Sequence, residues 1–246
     1  MNLKDKVAVI SGISKRFGSS TAYLFAKEGA SLVLISRNTE LTNKITEDIR
    51  FNGGKAISIA CDVTKNEEVD KAVEEIKRVY GKVDILFNNA GGKYTKRQKM
   101  HEMSSDFWDE VINTNLKSVF VLSSKIIPLM KEGGSIINIS AAHKTLLDSN
   151  TAYAAAKSGI VGLTRNLARE LRESNIRVNC IKPGVIRNDF NSQNLTKYTN
   201  KVKRKGNSED VAFAALHLAS DTSSWTTGQT ITVDGGEELF SEMENE

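Results

Sequence analysis

The chain lacks a long hydrophobic run. Across its 246 residues, no apolar stretch is long enough to cross a membrane. Residues 1–6 (MNLKDK) also lack the apolar middle that defines a secretory signal peptide. From these two absences we expect a cytoplasmic protein.

The chain also has few cysteines and no large excess of one charge. The two cysteines, Cys61 and Cys180, match no metal-binding spacing, so we predict no metal site and interpret both as reduced core thiols. The 34 basic and 30 acidic residues are mixed along most of the chain and leave a net charge of +4. This balance is typical of a solvated surface and argues against nucleic-acid binding.

Short apolar runs alternate with helical patterns along the whole chain. The runs are typical of buried strands and begin near residues 6, 31, 55, 83, 135, 176 and 227. Their alternation with helices predicts an α/β fold with a doubly wound parallel sheet of about seven strands and helices on both faces. Because no internal repeat or low-complexity linker interrupts the pattern, we expect residues 1–246 to form a single domain.

One helical pattern carries a candidate acid/base pair. Tyr153 and Lys157 are four residues apart near the start of a pattern that runs to about Arg172, so they share a helix face. A phenol has a pKa of about 10, and a neighbouring ammonium favours the phenolate and lowers that pKa. The pair can therefore act as a general acid/base near neutral pH. The run before it ends at Ser140, whose hydroxyl can hold a substrate carbonyl against the phenol.

The first apolar run leads into a glycine turn. Residues 12–18, from Gly12 to Gly18, follow the run and precede a helical pattern. Backbone N–H groups and the helix dipole favour an anion in such a turn, and glycine lets the anion approach closely. The arrangement is typical of a phosphate-binding loop.

These features occur in the order found in one enzyme family. Ser140 with Tyr-x-x-x-Lys, the glycine turn and the tetrapeptide Asn-Asn-Ala-Gly at 88–91 together resemble the short-chain dehydrogenase/reductase family, over nearly the whole chain. The resemblance implies a Rossmann fold and an oxidoreductase that passes hydride between a nicotinamide cofactor and a carbonyl or alcohol carbon.

The glycine turn departs from the family pattern Thr-Gly-x-x-x-Gly-x-Gly. Ser11, Gly12 and Gly18 match it, whereas Arg16 stands where the middle glycine is expected. Arg16 can add charge for a phosphate or point into solvent, and the sequence leaves both alternatives open.

The end of the second run bears on the choice of cofactor. NAD-preferring relatives usually carry an acidic residue there, which holds the ribose 2′-hydroxyl and repels a 2′-phosphate. This chain has Ser36 and Arg37, with Lys15 in the turn, so we expect NADP(H) to be preferred and NAD(H) to be possible. The alternative is that Arg37 stacks on the adenine of either cofactor.

Other cofactor residues follow from the resemblance. Asp62 and Val63 match the pair beside the adenine, and Pro183 and Gly184 match the segment that packs on the nicotinamide. Asn188 replaces the usual threonine, and its amide can still bond a carboxamide. The full implied set is Ser11, Gly12, Ser14, Lys15, Arg16, Phe17, Gly18, Arg37, Asp62, Val63, Asn89, Ala90, Gly91, Tyr153, Lys157, Pro183, Gly184, Ile186 and Asn188.

The catalytic asparagine is expected in the helical pattern from Asp106 to about Pro128. Asn115 aligns with the family's asparagine, which holds a water in a proton relay to the lysine, and Asn113 is the alternative. With Asn115, the implied catalytic set is Asn115, Ser140, Tyr153 and Lys157.

The position of the catalytic serine is open. Its distance from Tyr153 selects Ser140, which we favour, whereas strand register selects Ala141. If Ala141 occupies the position, His143 or a water must orient the carbonyl. His143 otherwise reads as a loop residue.

Two basic segments can be interpreted as a binding site for an anionic part of the substrate, and the alternative for the first segment is a solvated surface loop. Residues 93–99 and 201–205 are rich in lysine and arginine, which suits a phosphopantetheine, a coenzyme A or an acidic acyl-carrier protein. The overall pattern resembles 3-oxoacyl-carrier-protein reductases and also sugar, polyol and small-ketone dehydrogenases. A catalytically idle NADP(H)-binding sensor or assembly subunit is the alternative from another class.

The resemblance also implies features outside the chemistry. It implies a homo-oligomer, a dimer or tetramer joined through helices near 106–128 and 150–172, and a substrate flap at 189–206.

The composition near the end of the chain supports two further predictions. A helix is predicted to start at Ser208 as its cap. The acidic tail at 237–246 is interpreted as a mobile or interface segment.

Overall fold

The protein is described from a computed structural model, which covers residues 1–92, 98–186, 202 and 204–239. Seven strands form one parallel sheet in the order β3-β2-β1-β4-β5-β6-β7. The strands are β1 (Val7–Ser11), β2 (Ser31–Ser36), β3 (Lys55–Ala60), β4 (Val83–Asn88), β5 (Met130–Ile139), β6 (Arg177–Pro183) and β7 (Thr230–Val233). The predicted doubly wound parallel sheet is confirmed.

Eight α-helices accompany the sheet in the described residues. They are α1 (Phe17–Lys27), α2 (Thr39–Phe51), α3 (Asn66–Tyr80), α4 (Ser105–Ile112), α5 (Ser118–Ile126), α6 (His143–Leu147), α7 (Thr151–Glu170) and α8 (Ser208–Ala219). None of these helices is long and apolar enough to cross a membrane.

Both faces of the sheet are covered, which explains why its central strands are mainly apolar on both sides. Successive residues of a strand point to opposite faces. In β1, Ile10 packs into a core with residues of α1 and α8, whereas Val9 packs into a core with residues of α3 and α5. All five residues of β1 are therefore buried.

The sheet order places a crevice at the carboxyl end of β1. β1 pairs with β2 on one side and with β4 on the other, so the chain reverses its direction across the sheet there. Loops leaving the two neighbouring strands diverge at such a point, and open α/β sheets bind their ligands in the resulting crevice.

The helix predicted from Asp106 to about Pro128 is interrupted. A π-helical turn, Asn113–Lys117, lies between α4 and α5, and a 3₁₀ turn, Ile127–Leu129, follows α5. The π turn shifts the register of the helix and buries Asn115.

Two smaller expectations are corrected. The cap of α8 is Asn207, not Ser208: Asn207 and Asp210 form a reciprocal capping box, in which each side chain bonds the other residue's backbone N–H. His143 begins the short helix α6 and does not lie in an irregular loop.

The start of the acidic tail is held by two lysines. Glu237 pairs with Lys144 at 2.7 Å, and Glu238 pairs with Lys182 at 3.8 Å. Residues 240–246 lie outside the described residues, as does most of the segment predicted to be the substrate flap.

Candidate active site

A cleft of about 430 Å³ opens at the carboxyl ends of β1, β2, β4 and β5. It brings together most of the residues singled out from the sequence. Those that line it are Gly12, Ser14, Arg16, Phe17, Arg37, Asp62, Val63, Asn89, Ala90, Gly91, Asn115, Ser140, Tyr153 and Lys157.

Other predicted residues lie behind or beside the cleft. Ser11 is buried beneath it, and its hydroxyl accepts hydrogen bonds at 3.2 Å from the backbone N–H groups of Asn89 and Ala90. Gly18 is buried at the start of α1, whereas Lys15 is exposed. Pro183, Gly184 and Ile186 are not in the lining, and Asn188 lies outside the described residues.

The loop after β1 packs closely against the loop after β4. Gly12 has a φ of +73°, and a Cβ atom there would lie 2.5 Å from the Cα atom of Ala90. The Asn89 side chain donates to the Gly12 carbonyl at 2.7 Å. Glycine at this position is required both by the left-handed backbone and by the close approach of the two loops.

The amino end of α1 faces the cleft without a side-chain cap. Arg16 occupies the N-cap position and makes no capping hydrogen bond. The first N–H groups of any α-helix have no acceptor within the helix, and the dipole there favours negative charge. The loop and the helix end together fit a dinucleotide's phosphates.

Arg37 and Asp62 face one another at the β2 and β3 end of the cleft. Burial tends to raise the pKa of Asp62, but hydrogen bonds from the Thr64 N–H and hydroxyl, together with the charges of Arg37 and Lys65, hold that pKa below its ordinary value. Asp62 is therefore ionised at neutral pH, and its Oδ1 atom is committed to Thr64.

Lys157 lies at the other end of the cleft and is 4% exposed. Its Nζ atom donates to the Ile139 carbonyl at 3.0 Å and lies 5.8 Å from the centroid of the Tyr153 ring. Burial lowers the pKa of Lys157 from 10.5 to about 8, because the ammonium has lost most of its hydration. The lysine is thus still mainly charged at neutral pH, beside the phenol.

Asn115 is fixed by the π turn and by the chain after β4. Its side-chain Nδ2 atom donates to the carbonyls of Gly92 and Val111, at 2.9 and 3.0 Å, and its Oδ1 atom accepts from the Gly92 N–H at 3.1 Å. A Cβ atom on Gly91 would lie 3.0 Å from Asn115 Oδ1 and 3.3 Å from Lys157 Nζ. Asn115 and Lys157 therefore flank the same glycine.

Ser140 lines the cleft directly after β5, whereas Ala141 is not in the lining. The Ser140 hydroxyl donates to the Lys157 backbone carbonyl at 2.7 Å. That bond joins the end of β5 to α7. It also engages the hydroxyl proton, so the proton must turn away from α7 before it can reach a substrate carbonyl.

Several lining residues are outside the catalytic and cofactor sets predicted from the sequence. They are Ile13, Ile35, Ser36, Asn38, Cys61, Thr64, Gly92, Thr114 and Ile139. Most are neighbours in sequence of predicted residues, and this adjacency is the signal by which the sequence could have indicated them. Ile139 and Gly92 contribute backbone atoms, to which no side-chain pattern points.

A cleft with a phosphate-accepting loop at one end and a phenol beside a buried lysine at the other is suited to coupled hydride and proton transfer. This defines the class of protein as the nicotinamide-dependent dehydrogenases and reductases. In the described residues, no group of three or more His, Cys, Asp or Glu side chains is placed to hold a metal ion.

Comparison with known proteins gives the family. A family model described as enoyl-(acyl carrier protein) reductase matches residues 12–238. The 3-oxoacyl-[acyl-carrier-protein] reductase FabG of Thermotoga maritima is 36% identical, over 96% of this chain and 99% of the relative. The NAD-dependent glycerol dehydrogenase of Listeria innocua is 35% identical, over 96% and 94%. The chain belongs to the short-chain dehydrogenase/reductase family, as its motifs predicted.

A solved structure agrees with this assignment. A short-chain dehydrogenase/reductase from Burkholderia xenovorans superposes with a TM-score of 0.84 at 28% identity, over 97% of this chain and 98% of that one. The protein is therefore an NAD(P)-dependent oxidoreductase that acts on CH–OH and C=O groups.

Proposed function

We propose that this enzyme is an NADP(H)-dependent carbonyl reductase whose substrate is a 3-oxoacyl thioester. The observation that carries the proposal is the Tyr153–Lys157 pair on one face of α7, set in the cleft with Asn115 and Ser140. The relatives named 3-oxoacyl-[acyl-carrier-protein] reductase support the choice of substrate.

The proposed chemistry assigns one role to each polar side chain. The cofactor, when bound, supplies the hydride to the carbonyl carbon. Tyr153 donates its phenolic proton to the carbonyl oxygen, or accepts it in the reverse reaction. The Lys157 ammonium stabilises the phenolate that remains. Asn115 supports the proton relay, and Ser140 turns its hydroxyl to the substrate carbonyl.

The preference for NADP(H) rests on the end of β2. Ser36 and Arg37 line the cleft where an acidic residue would hold a 2′-hydroxyl. Arg37 is exposed at the cleft edge, so its guanidinium is accessible to a 2′-phosphate.

An Arg37→Asp variant tests this preference. It should weaken NADPH binding at least about tenfold, because a charge-assisted bond is lost and a like charge is introduced, with NADH binding retained. Arg172→Asp, an exposed arginine after α7, is the matched control and should change neither affinity. Equal affinity of the wild-type enzyme for NADH and NADPH would contradict the preference.

Fewer basic residues are free to bind an anionic part of the substrate (the anionic handle: phosphopantetheine, coenzyme A or acidic carrier protein) than the sequence suggested. Arg204 makes two 2.7 Å hydrogen bonds to the Asp210 carboxylate, so this member of the second basic segment is already paired. Residues 93–97 lie outside the described residues. Charge reversal across both basic segments should raise the KM for an acyl-coenzyme A, and an unchanged KM would refute the handle.

A polyol or small-ketone substrate is the second candidate. It is favoured by the 35% identity to the glycerol dehydrogenase of Listeria innocua. Initial rates with acetoacetyl-coenzyme A and NADPH, measured beside glycerol with NAD⁺ and NADP⁺, distinguish the two. We expect turnover of the thioester, and turnover of glycerol alone would select the second candidate.

A further inference from the structure

Arg16 stands where the family pattern has a glycine, and its backbone φ is negative. Its φ is −125° and its ψ is −134° at the N-cap of α1. A negative φ is open to residues with a side chain, unlike the +73° of Gly12 in the same loop. Position 16 therefore lacks the left-handed φ that makes glycine necessary at position 12, and Arg16 lines the cleft.

The guanidinium of Arg16 reaches a distant part of the chain. Its Nη2 atom donates to the Ile186 carbonyl at 3.3 Å, and its Cζ atom lies 5.4 Å from the centroid of the Phe17 ring. Ile186 in turn pairs with Gly206 in an isolated parallel bridge. Arg16 thus joins the phosphate loop to the Ile186–Gly206 bridge.

The charge of Arg16 has no opposite charge paired with it in the part of the chain that the structure describes. Among the described residues, no carboxylate forms an ion pair with it. It also stands at the amino end of α1, where the helix dipole disfavours a cation. A guanidinium has five N–H donors, and the single long bond to Ile186 leaves donors for another acceptor.

We propose that Arg16 binds the diphosphate of the dinucleotide while it holds the Ile186 carbonyl. This assignment rests on the proposed function, because it requires a dinucleotide in the cleft. The ligand supplies the negative charge that the loop lacks. Arg16 thereby couples the diphosphate to the bridge that precedes α8, a connection that glycine at this position cannot make.

Three ligands isolate the diphosphate contact. NADPH and 2′-phospho-ADP-ribose both contain a diphosphate, whereas adenosine 2′,5′-bisphosphate has a single 5′-phosphate. Affinities are measured by isothermal titration calorimetry for the wild type and for Arg16→Gln, which keeps a polar side chain with N–H donors but removes the charge. We expect Arg16→Gln to weaken the two diphosphate ligands about 10- to 100-fold and the bisphosphate less than about threefold.

Two further variants serve as controls. Arg16→Lys restores charge without the planar fork and should recover part of the lost affinity. Arg37→Gln should weaken all three ligands alike, because each carries a 2′-phosphate. The thermal midpoint of ligand-free Arg16→Gln should lie close to that of the wild type, because removal of the cation at the helix end offsets loss of the bond to Ile186.

These measurements distinguish failure of the Arg16 assignment from failure of the proposed function. Wild-type affinity of Arg16→Gln for NADPH, or an equal loss for all three ligands, overturns the assignment of Arg16 to the diphosphate. A wild-type protein that binds none of the three ligands overturns the proposed NADP(H) function, and the assignment with it.

Discussion

Lys157 combines deep burial with a positive charge, and this combination has a measurable cost. Burial lowers its pKa from 10.5 to about 8, so between these values the unfolded chain binds a proton that the folded protein does not hold. Stability contributed by this group therefore rises with pH across that window, and the penalty is largest below pH 8.

A Lys157→Met variant reports this linkage. Between pH 7 and pH 9, we expect the wild type to gain about 1 kcal/mol of unfolding free energy relative to the variant, measured by urea denaturation. The titration of the Cys180 thiol in the unfolded chain is common to both proteins and cancels in the comparison, and burial raises its folded-state pKa to about 11, above this range. A stability difference between the two proteins that stays constant with pH would show that folding does not lower the pKa of Lys157.

Ser140 has a structural role and a proposed catalytic role, and two measurements on Ser140→Ala distinguish them. In the structure its hydroxyl donates to the Lys157 carbonyl. Loss of that bond in Ser140→Ala should lower the unfolding free energy by only about 1 kcal/mol. Loss of carbonyl orientation should lower kcat about 100-fold.

The adjacent position supplies the control for Ser140. Ala141 is not in the cleft lining, so the double variant Ser140→Ala/Ala141→Ser should remain as slow as Ser140→Ala. Restored turnover in the double variant would move the catalytic position to 141. A wild-type kcat in Ser140→Ala would leave the hydroxyl with a structural role alone.

At the level of single residues, the sequence predicted identities better than orientations. Tyr153 and Lys157 are four apart on one helix, so their shared face follows from local geometry. The direction of the Ser140 hydroxyl depends on the position of α7 relative to β5, and Arg16 meets Ile186 170 residues further along the chain. Contacts of this range are not encoded in a local pattern.

The π turn between α4 and α5 is the element that places Asn115. It buries the side chain and directs its amide to Gly92 and Val111. Asn113, the alternative weighed from the sequence, is only partly buried at the start of the same turn.

Asn115→Ala and Asn113→Ala form a matched pair. Three hydrogen bonds are lost in Asn115→Ala, which should lower the unfolding free energy by about 2–3 kcal/mol and kcat at least tenfold. Asn113→Ala should change the unfolding free energy by less than about 1 kcal/mol. Steady-state kinetics and thermal melts measure both, and the reverse ranking would assign the role to Asn113.

Elements were predictable where hydrophobic pattern alone decides them. The runs assigned to β1–β6 overlap the observed strands, because strands buried on both faces are mainly apolar. The π turn was not predicted, since its sequence carries no interrupting glycine or proline and reads as ordinary helix. The α8 cap was misplaced by one residue, because Asn207 and Ser208 are both common caps.

At the scale of the whole molecule, one of the helices predicted to mediate assembly exposes a large apolar side chain. Phe120 on α5 is 59% exposed, and the expected homo-oligomer would bury it against another copy. Phe51, at the end of α2 and 90% exposed, lies outside those helices and provides a control.

Light scattering coupled to size exclusion tests the assembly. We expect a wild-type dimer or tetramer, a smaller species for Phe120→Asp because a buried charge disfavours the interface, and no change for Phe51→Asp. A monomeric wild type would remove the predicted assembly.

The overall fold was the most predictable level. Alternating strands and helices imply a doubly wound sheet, and the family motifs place the cleft at the carboxyl ends of its strands. The substrate is the least predictable, because it depends on loops whose sequences follow no structural period. Most of the flap and all of segment 93–97, which would contact the substrate, lie outside the described residues.

The most direct test of the central claim is NADPH oxidation with acetoacetyl-coenzyme A, measured for the wild type and for Tyr153→Phe. We predict turnover by the wild type and a rate at least about 100-fold lower for Tyr153→Phe at saturating NADPH. Tyr153→Phe turning over the thioester at the wild-type rate would contradict the assignment of Tyr153 as the proton donor.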